Sequence, residues 1–265
     1  MGALRMREKL YQSFIELTNG KMTSFLLRKF TTSRTSKVFI RSYSKIYDIS
    51  IDEVSKNINE FNSLHDFFIR GLKETSRPIA LESNVVVSPV DAKIESFGDI
   101  DTGTVLTVKN KPYSIAAMLG NEEIAKRYEG GKFIVFYLSP ADYHRIHSPL
   151  KAKVDQQYVL GKKSYPVNRM GLSYGKKPIS HNYRMISELI VNNTKRASFI
   201  KVGAMFVNSI KLTNTTDTWE KGEEIGYFAF GSTVVMLFEK DFIQFSNSVI
   251  QGAHVRVGEQ FAIML

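Results

Sequence analysis

Three segments of the chain hold residue types that do chemistry in combination. Ser88-Pro89-Val90-Asp91 places a carboxylate directly after an apolar run. Residues 137–149 hold His144 and His147, two of the five histidines. Phe230-Gly231-Ser232-Thr233-Val234-Val235 sets a Gly-Ser step between apolar runs. An acid that orients an imidazole, and an imidazole that takes a hydroxyl proton, make up a base-activated nucleophile. The same residues allow plainer readings. Asp91 suits a turn cap, and His144, His147 and Asp91 together suit a His-His-carboxylate metal set. Gly231-Ser232 suits a β-bulge, because glycine inside a strand pattern usually marks one. Residue types alone leave these alternatives open.

The elements that must position these residues change character along the chain. Ser50 with Glu53 predicts a capping box ahead of Val54, Ile58 and Phe61, and Ser63 with Asp66 opens a second helix through Phe67 and Phe68. Arg77-Pro78 closes the helical region. Short strands are then predicted over 85–87, 104–108, 133–138, 199–202, 205–210, 227–230, 233–238 and 254–257, with one helix over 115–128. No internal repeat is visible. The expectation is an α+β chain in two parts. Residues 1–80 form a basic amphipathic helical part that associates with membranes, and residues 81–265 form a β-rich catalytic domain of barrel- or sandwich-like antiparallel sheets.

Composition narrows the function classes. With 265 residues, 43% hydrophobic and 12% aromatic, the chain can bury an ordinary core. The absence of cysteine excludes disulfides, zinc–thiolate sites and a thiol nucleophile. No apolar run approaches the roughly 18–20 residues that span a bilayer, and no secretory pattern is visible. Of the net charge of +10, residues 1–50 carry +7, from ten Lys and Arg against Glu8, Glu16 and Asp48. Such an end calls for an acidic partner. Met6, Leu10, Phe14 and Leu17 recur at helical spacing, and Phe25, Leu26, Leu27 and Phe30 surround Arg28 and Lys29. Basic and apolar faces on short helices suit the boundary of an anionic bilayer better than nucleic acid. Helices packed on their own domain, or a mitochondrial presequence rich in Arg and Ser, are the alternatives.

Taken together, the segments resemble the phosphatidylserine decarboxylase family, in its short bacterial form. The resemblance runs through Phe67-Phe68-Ile69-Arg70, Arg77-Pro78, the Asp91 segment, Lys111-Pro112-Tyr113-Ser114 and Leu119-Gly120. It continues through the two-histidine segment, Ser164-Tyr165-Pro166-Val167-Asn168 and Val202-Gly203-Ala204-Met205, and ends at Gly222–Phe228 and the Gly-Ser-Thr step. It implies that Ser232 attacks the Gly231 carbonyl, with His147 as base and Asp91 orienting it. The chain would then part between Gly231 and Ser232 into a large N-terminal (beta) and a small C-terminal (alpha) chain. Ser232 would become a covalent pyruvoyl group that forms a Schiff base with substrate, with no metal and no pyridoxal phosphate. His144 would donate the proton that replaces CO2.

The implied partners are phosphatidylserine and an anionic membrane surface, with the two chains held as a heterodimer, a homodimer left open and no nucleic acid. The implied place is peripheral, on the cytoplasmic face of the bacterial cell membrane. Two departures stand out. Ala92 follows the acid where glycine is expected, so the turn presenting Asp91 is expected to differ. His181-Asn182-Tyr183-Arg184 departs from the Asn-Glu-Arg of other branches and is assigned no role. A serine hydrolase acting on an external ester is one rival. A β-rich carrier is another, since Lys221-Gly222-Glu223-Glu224-Ile225-Gly226-Tyr227 is similar to the turns of lipoyl-type barrels.

Overall fold

The structure is a computed structural model that describes residues 21–101, 103–109, 111–162, 165, 167, 172, 177–203, 210–229 and 232–265. The Met6–Leu17 spacing, most of 164–168, the Ala204-Met205 step with the strand expected over 205–209, and Gly231 lie outside the described residues.

Helices come first. α1 is Lys21–Thr32, a 3-10 turn covers Arg34–Phe39, α2 is Ile40–Ile46 and α3 is Leu64–Phe68. Ser63 caps α3 as expected, its hydroxyl accepting from Asp66 N at 3.1 Å. The helix expected after Ser50 is absent. Ser50 makes no side-chain cap, only a 3-10 turn forms at Ile51–Glu53, and Val54 bridges Leu72. The capping box sits instead at Asn57 and Glu60, around a single turn. Ile40, Val54, Phe61 and Phe67 pack as a small core of their own.

Strands follow. β1 is Val85–Val87, β2 Ala92–Asp99, β3 Val105–Val108 and β4 Lys111–Ser114. The expected helix over 115–128 is two, α4 (Ile115–Leu119) and α5 (Glu122–Lys126). Gly120, at φ +70°, ends the first, and Asn121 caps the second. Next come β5 (Lys132–Leu138), β6 (Arg145–His147), β7 (Ala152–Leu160), α6 (Pro178–His181), β8 (Arg184–Val191) and β9 (Lys195–Gly203). The chain closes with β10 (Ile210–Leu212), β11 (Thr218–Trp219), β12 (Glu224–Phe228), β13 (Ser232–Phe238), β14 (Ile243–Phe245), β15 (His254–Val255) and β16 (Gln260–Met264).

An eight-stranded antiparallel sheet, ordered β11-β7-β8-β9-β13-β5-β2-β15, is the frame. Its two faces carry the two large cores. Val234, Met236 and Phe238 face one, Val235 and Leu237 the other, following the period of a strand. β13 is buried along its whole length between β9 and β5, and its register runs unbroken from Ser232 to Phe238. The β-bulge reading therefore does not hold from Ser232 onward. The sheets are antiparallel as expected, but they end at open edges and no closed barrel forms among the described residues.

The structure also contains an internal repeat that the sequence analysis did not find. β1-β16-β14 and β6-β12-β10 are matching three-stranded sheets, and β2–β15 matches β7–β11. The two copies hold one another reciprocally, Val87 N donating to Pro149 O at 2.9 Å and His147 N to Pro89 O at 2.8 Å. Ser88 and Ser148 are both buried and each donates to the carbonyl two residues on, at 2.7 Å. Gly258 and Gly222 turn at φ +86° and +78°, and a Cβ on either would come within 2.7 Å of Ile79. Ile79 thus sits between the two turns, where no side chain larger than hydrogen fits. The sequence keeps only short traces of the repeat, Ser-Pro-x-x-Ala at 88–92 and 148–152 and Gly-Glu at 258–259 and 222–223, while Asp91 in one copy is matched by Lys151 in the other.

Candidate active site

The strand order brings the chemical segments to one end of the large sheet. β5 ends at Leu138, opposite Ser232 at the start of β13, and Lys93 of β2 lies opposite Tyr137. Asp91 precedes β2, the 139–144 segment leaves β5, and Ser232 opens β13. The histidines arrive through β6. His144 O accepts from Phe228 N at 2.9 Å, four residues before Ser232, and His147 pairs with Glu224 of β12.

Ser232 is fully buried, and its Oγ has no hydrogen-bond partner. An unpaired hydroxyl in the interior is unfavourable, and Thr233 Oγ1 beside it is unpaired too. Opposite Ser232 on its other side stands Gly203, whose carbonyl accepts from Asn182 Nδ2 at 2.9 Å. Asn182 also exchanges two hydrogen bonds with the Tyr165 backbone, at 2.7 and 2.9 Å.

His147 donates from Nδ1 to the Gly222 carbonyl at 2.8 Å, which fixes its tautomer because a carbonyl only accepts. Nε2 is left as the basic atom, with the Tyr143 hydroxyl at 3.3 Å. Burial lowers the His147 pKa, so the ring is a neutral base at neutral pH; the Gly222 bond, then Glu224 and Asp91, oppose that shift. Asp91 spends its oxygens elsewhere. It accepts from Arg77 Nε at 2.9 and 3.0 Å and from Val257 N at 2.8 Å. No hydrogen bond joins Asp91, His147 and Ser232 to one another in this state, and Asp91 acts on His147 through its field. Ala92 does not disturb this acid. It is buried as the first residue of β2 and does not adopt positive φ.

His144 is fully buried against Phe68, ring centroids 4.0 Å apart. Its Nδ1 donates to the Asp142 carbonyl at 2.8 Å, and Nε2 has no partner. Burial, with Arg70 nearby, pushes its pKa down to about 3, so the ring is neutral with its lone pair on Nε2. Among the described residues no group of three or more acidic or histidine side chains is placed to hold a metal ion. The His-His-carboxylate alternative thus has no support here.

Sequence reasoning passed over several residues of this neighbourhood. Asn182 and Arg184, given no role, are both buried. Arg184 donates to the carbonyls of Met118, Ala117 and Asn182 at 2.6, 2.8 and 3.0 Å, closing the end of α4. Tyr143, Arg70 and the Gly222 carbonyl were likewise missed as site groups. The available signal was polar residues inside strand or helix patterns.

Comparison with known proteins places the chain among relatives. The family model described as phosphatidylserine decarboxylase matches residues 64–263. Proteins named phosphatidylserine decarboxylase proenzyme from Bacillus thuringiensis (strain Al Hakam) and Bacillus cereus (strain 03BB102) are each 50% identical over 260 residues, covering 98% of this chain and 99% of the relative.

Proposed function

The chain belongs to the phosphatidylserine decarboxylase family, and from that membership we propose that it cuts itself before Ser232 and works from the pyruvoyl group so formed. The reaction it catalyses is the decarboxylation of phosphatidylserine to phosphatidylethanolamine. The observation that carries the self-cutting reading is Ser232 Oγ, fully buried without a partner at the head of a strand clamped on both sides.

In this reading Ser232 Oγ attacks the Gly231 carbonyl carbon and its proton passes to His147 Nε2. The acyl group moves from nitrogen to oxygen and the freed amine takes the proton. Removal of the Ser232 α-proton then expels the Gly231 carboxylate and breaks the chain. Water replaces the nitrogen of the remaining unsaturated residue, ammonia leaves, and a pyruvoyl group caps the small chain. The Gly222 carbonyl keeps His147 in the basic tautomer, and Asp91, held by Arg77, favours the imidazolium that forms.

The pyruvoyl carbonyl would stand on the former Ser232 α-carbon at the head of β13, and a Ser232 Oγ without a partner, which leaves with Gly231, fits that conversion. When present, the pyruvoyl group supplies the electron sink for the pair released with CO2. His144 Nε2, a bare lone pair, takes the proton that the substrate ammonium must shed and returns it to the α-carbon.

Peripheral attachment to the cytoplasmic membrane face is supported by the early helices. Phe25, Leu26, Val38, Phe39 and Ile46 are exposed among Arg28, Lys29, Lys37 and Lys45. Among the described residues no helix is long and apolar enough to cross a membrane.

Denaturing electrophoresis and intact mass test the reading. The wild type gives two fragments, Ser232→Ala one, and His147→Ala or Asp91→Asn far less cut chain. Normal fragment yield from all three variants overturns the assignment.

A further inference from the structure

Between the 48–53 segment and the active end of the sheet lies a cleft of about 260 Å³ lined by three arginines whose partners differ. Arg77 is committed to Asp91 and Glu53. Arg256 is mostly exposed and reaches Glu53 at 3.4 Å. Arg70 is 3% exposed, and its Nη2 donates to the carbonyls of Ala141 and Asp142 at 2.7 and 3.1 Å. Its Nε and Nη1 have no acceptor, and none of the described ion pairs includes it. The Asp142 carboxylate is turned away, accepting from Ser139 N at 2.6 Å. A guanidinium out of water, with two neutral carbonyls on Nη2, the Phe67 ring 5.4 Å from its central carbon and no acceptor on Nε or Nη1, is unfavourable until an anion completes it. Nε–H and Nη1–H remain as single donors for the oxygens of an anion such as a phosphate.

The place of Arg70 gives that anion a meaning. The Asp142 carbonyl that it holds also takes the Nδ1–H of His144, at 2.8 Å. An anion on the unpartnered N–H groups of Arg70 is thus linked through one guanidinium and one carbonyl to the imidazole that moves the proton. The opposite wall, Asp48 to Ser50, is flanked by the exposed Ile46, Tyr47 and Ile51.

We propose that this cleft receives the lipid headgroup with its phosphodiester on Arg70, making Arg70 a specificity-determining residue. The inference rests on the decarboxylase reading. In phosphatidylserine one oxygen and one methylene separate phosphorus from the carbon that loses CO2, so a phosphate on Arg70 leaves that carbon within short reach of His144. The departing carboxylate is the worse occupant, because a cation on it would stabilise the ground state before CO2 leaves.

The test uses the cut enzyme with phosphatidylserine in neutral detergent micelles. Two soluble competitors are added, glycerophosphoserine, which keeps the phosphodiester, and O-methylserine, which lacks it. On the wild type, glycerophosphoserine inhibits at least about tenfold more strongly, as loss of one charge-assisted hydrogen bond predicts. Arg70→Lys still cuts into two fragments, raises KM about tenfold, and shrinks the gap between the competitors. Equal inhibition by both competitors on the wild type overturns the proposal, whether or not the variant folds. So does a variant that weakens both competitors equally. A wild type that releases no CO2 from phosphatidylserine would instead strike the decarboxylase reading itself.

Discussion

At the scale of single residues, two histidines three positions apart are fixed in the same tautomer by different carbonyls. Each donates from Nδ1, His147 to Gly222 and His144 to Asp142, so each presents Nε2 as a base. Their partners separate their work, since His147 lies against Tyr143 and beside Glu224, while His144 is sealed between Phe68 and the Arg70 segment. His144→Ala is therefore expected to cut into two fragments and to carry the pyruvoyl group, yet to lose about 10²–10⁴-fold in decarboxylation, the usual worth of a placed proton donor. Cleavage and CO2 release measured on one purified sample decide it; full turnover sinks the role, and an uncut chain shows the two histidines act together. The same variant carries a pH signature. The folded pKa of about 3 lies below the ordinary 6.5, so the unfolded chain binds the extra proton first as pH falls. The stability tied to neutral His144 is whole above pH 6.5 and declines from there toward pH 3, by up to about 1.4 kcal/mol per pH unit. Denaturant titrations across that window should fall more steeply for the wild type than for His144→Ala.

At the scale of elements, α1 and α2 turn large apolar side chains outward beside basic ones, and Phe30 and Phe39 meet edge to face at 5.7 Å. Val38 is 73% and Ile46 75% exposed, so removing them costs the fold little. Val38→Ser with Ile46→Ser should weaken sedimentation with anionic vesicles about tenfold, roughly 1.4 kcal/mol, and raised salt should weaken the wild type. Unchanged binding would move the membrane surface elsewhere. What the sequence made legible follows from local chemistry: the Ser63 cap, the apolar run that became β13, and the acid, histidine and serine segments. What it hid depends on distant partners. Ser50 and Glu53 have the letters of a capping box, but Glu53 is drawn to Arg77 and Arg256 and the chain extends after one turn. The 152–160 run reads as polar because β7 buries few of its residues, and β8 hides Arg184, Ser187 and Glu188 among apolar neighbours. Asn182 looked like a departure in a motif, whereas its amide ties Tyr165 to the strand facing Ser232.

At the scale of the whole molecule, the position of the cut decides what the two chains can do afterward. The small chain would begin at Ser232 and contain β13 to β16. β13 is an inner strand, hydrogen-bonded to β5 through Leu138–Lys132 and to β9 through Gly203–Ala197. β15 pairs with β2, and β16 pairs with β1. One copy of the internal repeat lies wholly in the large chain, while the other takes β14, β15 and β16 from the small one. Losing the small chain would thus split the eight-stranded sheet and bare both cores at Val234, Val235, Met236, Leu237 and Phe238, each fully buried now. Burying a side chain of that size is worth about 1.5–3 kcal/mol, so five of them outweigh the freedom gained by parting. The two chains should therefore stay together as a heterodimer after cutting. Size-exclusion chromatography without denaturant is expected to give one species containing both fragments, at the 30.1 kDa of the uncut chain or a multiple of it. The fragments should separate only in urea or guanidinium. A small fragment that elutes alone under native conditions would mean that the sheet does not survive the cut, and that the active state is a different fold from this one.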